Sequence, residues 1–179
     1  EIFPGEGVDR RLQGMAGSMS RYFPLFIDLE GKKITVVGAG AVASRRICTL
    51  LEFGARITVL APEASEKVKS LSGEGRLIWR KEAYRPGLPG LFDGAVLALA
   101  ATDQREVNLA VGEECRELGI PVNLADDKEN CDFYFPGVAL GGGIVAGITA
   151  EGKDHRLAKE VAAEVRGLLA QREREAEES

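Results

Sequence analysis

The sequence has one histidine, three cysteines, one tryptophan and only 6% aromatic residues in 179 positions. These scarcities narrow the chemistry. His155 and the widely spaced Cys48, Cys115 and Cys131 cannot build a preformed His/Cys metal site, and no CxxC pair is present. An odd number of separated cysteines suits a reducing cytosol better than a disulfide framework, so a cytoplasmic location is expected. None of Tyr22, Tyr84 and Tyr134 has a lysine four residues on, which removes the Tyr-xxx-Lys dyad of short-chain dehydrogenases. Basic residues are not in excess: Lys and Arg number 23 against 28 Asp and Glu, a net charge of -5, so no nucleic-acid partner is expected. The longest apolar run, around Ala95–Ala101, is strand-sized, so no membrane partner is expected either. The opening "EIFPGEGVDRR" lacks the apolar core of a secretory signal.

What is present is enough for one domain with a real core, because 45% of the residues are hydrophobic. Residues 1–18 are Gly-rich, polar and aperiodic. They read as a disordered leader, with Met19 a plausible start. From Lys33 the chain alternates strand and helix patterns. "KITVVGAG", "ARITVLAP", "RLIWRKEAY", "AVLALAATD" and "IPVNLA" read as buried strands, and helical spacing fills the intervals. "RPGLPGLFDG" interrupts them as a loop. Continuous apolar strands joined by helices predict an α/β fold, a Rossmann-like doubly wound parallel sheet over residues 19–132. Residues 133–179 change grammar. Two apolar runs flank Gly141–Gly143 as a hairpin, and a final helix follows with Leu157, Val161, Val165 and Leu168 along its apolar face. That piece is too small to bury its own faces, so a homodimer is expected.

"VVGAGAVASRR" holds Gly38-x-Gly40-x-x-Ala43 between a strand and a helix, the context that a dinucleotide turn needs. Gly38 allows the turn, Gly40 admits a pyrophosphate, Ala43 keeps the helix close to the sheet, and the free N–H groups at the helix N-terminus attract the anion. No Lys-Ser/Thr follows, so a P-loop nucleotidase is excluded. The second strand ends in Ala61-Pro62-Glu63. Glu63 either accepts from an adenosine ribose or serves the next helix's N-terminus, and no arginine sits there for a 2′-phosphate, which favours NAD. Thr102 and Asp103 end the fourth strand, and one of them, Asp103 by preference, reads as a helix N-cap. Asp126 and Asp127 follow the fifth strand without a clear helix to cap. With no histidine, tyrosine or lysine alternative, this pair is the candidate for acid/base work, and a turn is the competing reading. His155, near the start of the final helix, reads as a surface residue because the helix dipole opposes its protonation. Trp79 reads as core.

Taken in order, "PLF" before the first strand, the glycine turn, "AATD", "VNLADDKENCDFYFPG", the glycine-rich hairpin and the final helix resemble the precorrin-2 dehydrogenase/sirohydrochlorin ferrochelatase family over nearly all of residues 20–170. The resemblance implies a Rossmann domain with a dimerisation region. It implies NAD as cofactor and tetrapyrrole substrates, with hydride passing from precorrin-2 to NAD⁺ to give sirohydrochlorin. Some members also take Fe²⁺ and make sirohaem. It puts the catalytic aspartate at Asp126, within Asn-x-x-Asp, and nucleotide contacts at Gly38, Gly40, Ala41, Val42, Pro62, Glu63, Ala101 and Thr102. Ala39 replaces a glycine common in the family, and "TAEGKDHRLA" replaces a Ser/Gly-rich segment, which leaves iron insertion open. Arg45, Arg46, Lys128, Lys153, Arg156 and Lys159 are candidate cations for the substrate's carboxylates. A dinucleotide-sensing dimer without catalysis is the alternative that the glycine turn alone would allow.

Overall fold

The computed structural model describes residues 23–150 and 154–177, so the expected leader over residues 1–18 lies outside the described residues. Five strands form one parallel sheet: β1 (Lys33–Val37), β2 (Arg56–Leu60), β3 (Leu77–Arg80), β4 (Ala95–Ala100) and β5 (Val122–Leu124), in the order β3-β2-β1-β4-β5. The order reverses between β1 and β4, the switch point at which doubly wound sheets open a crevice. This is the Rossmann-like arrangement that the alternating pattern predicts.

The period of two along each strand decides the faces. Ile34 and Val36 join Ile57 and Val59 on the side covered by α1 (Ala41–Glu52) and α2 (Glu66–Gly73). Val37 joins Leu60, Ala98 and Ala100 on the side covered by α3 (Arg105–Glu117). Burying each of the valines, leucines and isoleucines contributes about 1.5–3 kcal/mol. No helix separates β3 from β4. The loop that runs between them carries Leu88, Leu91 and Phe92 onto the second face instead. It is pinned from β1, where the Thr35 hydroxyl donates to the Leu91 carbonyl at 2.9 Å and the Lys33 ammonium donates to the carbonyls of Gly90 and Asp93. β3 stops at Arg80, earlier than the run "RLIWRKEAY" suggests. There the Arg80 guanidinium folds onto the Glu82 carboxylate, the Glu82 N–H turns back to the Arg80 carbonyl, and the chain leaves the sheet.

The second region is the hairpin β6 (Gly137–Gly141) and β7 (Ile144–Ile148), antiparallel, with Gly142 and Gly143 both at positive φ in its two-residue turn. The helix α4 (His155–Glu177) lies against it. Its packing row differs from the expected stripe. Ala162 and Leu169 are buried on the hairpin, whereas Leu157 and Leu168 are more than half exposed. The reason is closeness. A β-carbon on Gly141 would stand 2.9 Å from that of Leu169, and one on Gly137 would stand 3.3 Å from that of Ala162. The two glycines thus fix the helix on Ala162 and Leu169, and Leu157 and Leu168 fall to the flank of that row. Leu140, Ile144 and Val145 of the hairpin are exposed as well. Among the described residues no helix is long and apolar enough to cross a membrane.

Candidate functional site

The site is built at the carboxyl ends of the strands. Gly38 ends β1 at φ 107°, and a β-carbon there would stand 2.4 Å from the Ala101 carbonyl oxygen and 2.9 Å from the Thr102 nitrogen. Only glycine allows this approach. Around it, the Gly38 N–H donates to the Leu60 carbonyl at 2.9 Å and the Ala101 N–H donates to the Val37 carbonyl at 2.8 Å. The ends of β2, β1 and β4 are thus tied into one edge.

Gly40 caps α1 in extended conformation, and nothing lies within 4 Å of where its β-carbon would be. The first intrahelical bond runs from the Ser44 N–H to the Gly40 carbonyl, so the N–H groups of Ala41, Val42 and Ala43 have no helical acceptor ahead of them. Ala41 and Val42 are exposed, Ala43 is buried against the sheet, and the first turn carries no acidic residue. The turn is also held from behind. The Ala39 carbonyl accepts from the Ser65 N–H, and the Ser44 and Ser65 hydroxyls share a hydrogen bond of 2.7 Å. An open backbone cradle ahead of an uncrowded helix N-terminus fits a pyrophosphate.

Pro62 and Glu63 are exposed in the bend after β2. Ser65, not Glu63, caps α2, accepting from the Val68 N–H. Trp79 is part of the core edge, its indole N–H held by the Ala61 carbonyl. Asp103 does not cap α3; the N-cap is Gln104, which makes no side-chain cap bond. The reason lies in Thr102, whose hydroxyl already accepts from the Gln104 N–H at 3.1 Å. Thr102 is in turn clamped by Asn108. The Asn108 carbonyl oxygen accepts from the Thr102 N–H and hydroxyl, and its amide donates to the Thr102 carbonyl. Asn108 is fully buried and does not stand out among the sequence motifs. Its signal is an amide placed in register with Val111 and Cys115 on the apolar face of a helix.

The paired aspartates separate sharply. Asp126 is exposed in the turn after β5, and the Ala125 N–H ties that turn to the Ala100 carbonyl of β4 at 2.9 Å. Asp127 is buried, and its Oδ2 accepts from the Asn130 amide at 2.9 Å and from the Arg105 guanidinium at 2.8 Å. The Asn130 hydrogen bond, joined by the Arg105 charge, holds the Asp127 carboxyl below its ordinary range despite burial. Cys131 packs beneath. Its sulfur accepts from the Leu124 N–H, its thiol faces the carbonyls of Leu124 and Asp127, and burial raises its pKa. It is a structural residue.

Of the candidate cations, Arg46 is already engaged. It donates to the Asn123 carbonyl oxygen at 2.6 Å and lies over the Phe135 ring, and burial lowers its pKa. Arg156 pairs with Glu160. Arg45, Lys128 and Lys159 are exposed, and Lys153 lies outside the described residues. Two concavities occur elsewhere. One of about 550 Å³ is lined by Lys33, Arg56, Arg76, Arg80 and Asp93, and one of about 360 Å³ lies between the hairpin turn and the end of α4. Neither is lined by the glycine turn or by the turn that bears Asp126. Among the described residues, no group of three His, Cys, Asp or Glu is placed to hold a metal ion.

A glycine turn ending a central parallel strand, opening onto a free helix N-terminus at a switch point, defines a dinucleotide-binding protein of the Rossmann class. Residues 25–137 match the family described as putative NAD(P)-binding, and the chain belongs to that family. A probable multifunctional siroheme biosynthesis protein HemA of Ruminiclostridium josui is 40% identical over 148 residues, 82% of this chain and 28% of that protein. A siroheme synthase of Photorhabdus laumondii is 34% identical, over 83% of this chain and 31% of its own length. The chain therefore spans less than a third of these curated relatives. The solved structure of SirC, a precorrin-2 dehydrogenase, superposes with a TM-score of 0.65 at 25% identity, over 82% of this chain and 70% of that one. These relatives bear out the resemblance that the ordered motifs carry.

Two expectations follow from this geometry. Gly38→Ala forces a β-carbon into the Ala101 backbone at positive φ. At a cost of about 2–3 kcal/mol, it lowers both melting temperature and NAD(H) affinity. Gly40→Ala meets open space, so calorimetry should find the melting temperature of wild type while titration finds NAD(H) affinity reduced about tenfold or more, the loss of one or two charge-assisted hydrogen bonds. The second expectation concerns Asp127. A carboxyl with a depressed folded pKa stabilises fully above its unfolded value near 3.8 and loses that contribution as pH falls through the folded value. Urea titrations should therefore find wild type more stable than Asp127→Asn by a constant margin from pH 5 to 8, shrinking below about pH 4.

Proposed function

We propose that this chain is an NAD-dependent dehydrogenase that oxidises precorrin-2 to sirohydrochlorin. The observation that carries the reading is an adjacency. The turn bearing Asp126 is hydrogen-bonded to the end of β4, and the end of β4 abuts the glycine turn of β1. A cofactor seated at Gly38 and Gly40 would then lie one strand from an exposed carboxylate. The similarity to SirC over most of both chains supports the same reading.

When bound, NAD⁺ supplies the nicotinamide carbon that receives the hydride. The chain's own residues do the rest. The N–H groups of Ala41 and Val42 receive the pyrophosphate, Glu63 beside Pro62 accepts from the adenosine ribose, and the Ala101–Thr102 backbone borders the nicotinamide half. Asp126 accepts the proton that leaves the substrate with the hydride, so sirohydrochlorin, NADH and one proton account for the two hydrogens lost. Fe²⁺ as a further substrate is also raised by the resemblance, but no observation in this structure favours insertion over dehydrogenation alone. Nor does any favour a sensing dimer without catalysis.

We also infer that a second copy of the chain covers exposed apolar residues of this region, Leu140 and Val145 on the hairpin face turned away from α4 and Ile144, Leu157 and Leu168 on the helix side. Light scattering should give a dimer for wild type and a monomer for Ile144→Asp combined with Leu168→Asp. A dimer that survives both charges would place the interface elsewhere.

The enzymatic reading is tested anaerobically with precorrin-2 and NAD⁺, following sirohydrochlorin and NADH absorbance together. Asp126→Asn should lower turnover about a hundredfold to ten-thousandfold, the usual worth of a general base, with NAD⁺ affinity unchanged. Wild-type turnover by that variant removes Asp126 from the mechanism, and no reaction by wild type removes the function.

A further inference from the structure

Asp126 carries the proposed chemistry and Asp127 none, although Asp127 is the better-held residue. Asp126 ends no regular element, and its carboxylate is exposed. The turn that carries it is fixed by the residue that follows. The Arg105 guanidinium, from the first turn of α3, donates Nη2 to the Asp127 carboxylate at 2.8 Å and reaches Nη1 to the Asp126 backbone carbonyl at 3.5 Å. The Asn130 amide holds the same Asp127 oxygen from the other side. Three positions further along α3, Asn108 clamps Thr102 at its N–H, hydroxyl and carbonyl. Less than one turn of helix separates the group that fixes the end of β4 from the group that fixes the end of β5: Arg105 and Asn108 are neighbours on the helix surface at i and i+3.

We propose that the start of α3 is a positioning bracket, in which Arg105 and Asp127 together set the Asp126 carboxylate relative to the cofactor edge that Asn108 sets through Thr102. Asp127 and Arg105 touch neither substrate nor cofactor in this assignment; they act through Asp126. The pair is chemically suited to the task. A planar guanidinium carries donors in a rigid fork, so one side chain spans a carboxylate and the adjacent backbone carbonyl, which a lysine ammonium cannot do with fixed geometry. Asp127 is buried by accessible surface and Arg105 is largely exposed, so the pair orients more than it stabilises. This proposal rests on Asp126 being the base.

Steady-state kinetics on wild type, Asp127→Asn, Arg105→Met, Arg105→Lys and the Asp127→Asn/Arg105→Met double variant test it, with melting temperatures measured alongside. Displacing a catalytic group by a fraction of an ångström costs up to about a hundredfold in rate. Asp127→Asn and Arg105→Met should each lower kcat about tenfold on that scale, with KM for NAD⁺ unchanged. The double variant should be no slower than the slower single, because both remove the same constraint. Arg105→Lys should recover part of the rate by restoring charge without the fork. If Asp127→Asn folds poorly, Arg105→Met, at an exposed helix position, carries the test alone. Wild-type kcat in both single variants, additive losses in the double, or losses confined to melting temperature and NAD⁺ binding would each overturn the bracket. The two readings fail separately: full turnover by Asp126→Asn defeats the assignment of the base, whereas an inactive Asp126→Asn beside a fully active Asp127→Asn defeats only the bracket.

Discussion

The structure depends on one contact without side chains, the approach of Gly38 to the backbone of Ala101 and Thr102. β1 and β4 are neighbours at the point where the sheet reverses its order, and their ends must part there to leave a crevice. Because no β-carbon stands between them, they part only after the glycine, so the turn stays low against the sheet and α1 begins close above it. The buried Ala43 then fits where a larger residue would lift the helix. A helix held low presents its N–H groups at the strand ends, where a phosphate can reach both them and the edge. The same contact burdens Thr102, whose backbone is pressed against Gly38, and Asn108 meets that burden by satisfying all three of its polar groups from inside the core.

What could be read from the sequence was whatever depends on local period and backbone permission. Strand alternation and helical spacing are properties of short windows, so the five strands and the covering helices are legible in residue type alone. Gly38 and Gly40 are legible for the same reason: a turn that excludes β-carbons announces itself by lacking them. Asp126 and Asp127 are indistinguishable on those terms. What separates them is Arg105, twenty-two positions before Asp127, and whether it reaches one carboxylate or the other is a matter of tertiary placement. Likewise Thr102 and Asp103 are both good capping residues by type. Neither caps α3: the N-cap is Gln104, and the Thr102 hydroxyl, its backbone fixed by Asn108, accepts from the Gln104 N–H. On α4, counting bulky apolar residues points to Leu157 and Leu168, but the helix docks where Gly137 and Gly141 let it come close, on Ala162 and Leu169, and those glycines lie in the partner rather than in the helix.

Arg46 sits one turn into the helix that opens at the dinucleotide turn, where a cation would seem free for an anionic ligand. Its guanidinium is instead engaged, bonded to Asn123 and stacked over Phe135. It joins three segments: the nucleotide helix, the last strand of the sheet, and the chain leaving for the hairpin. A part-buried guanidinium in that position is tolerated because an amide oxygen and an aromatic face both receive it.

This join explains the spacing of Asn123 and Asp126. The chain leaves the sheet after Leu124 and returns alongside β5, and three adjacent pairings close the base of the excursion. Val122 and Asp132 exchange bonds, the Val122 N–H to the Asp132 carboxylate and the Asp132 N–H to the Val122 carbonyl. The Asn123 amide donates to the Phe133 carbonyl at 2.7 Å. The Leu124 N–H donates to the Cys131 sulfur. Asn123 is therefore a rung of the base, with its carbonyl oxygen left over for Arg46. Asp126 lies two residues beyond the last rung, on the part of the loop that the base does not hold. An Asn-x-x-Asp pattern is what such a loop requires: an amide with both a donor and an acceptor to close the stem, and an acid far enough past it to stand clear of the sheet. The aspartate's freedom from the stem is also why a separate pair, Asp127 with Arg105, is needed to hold the turn.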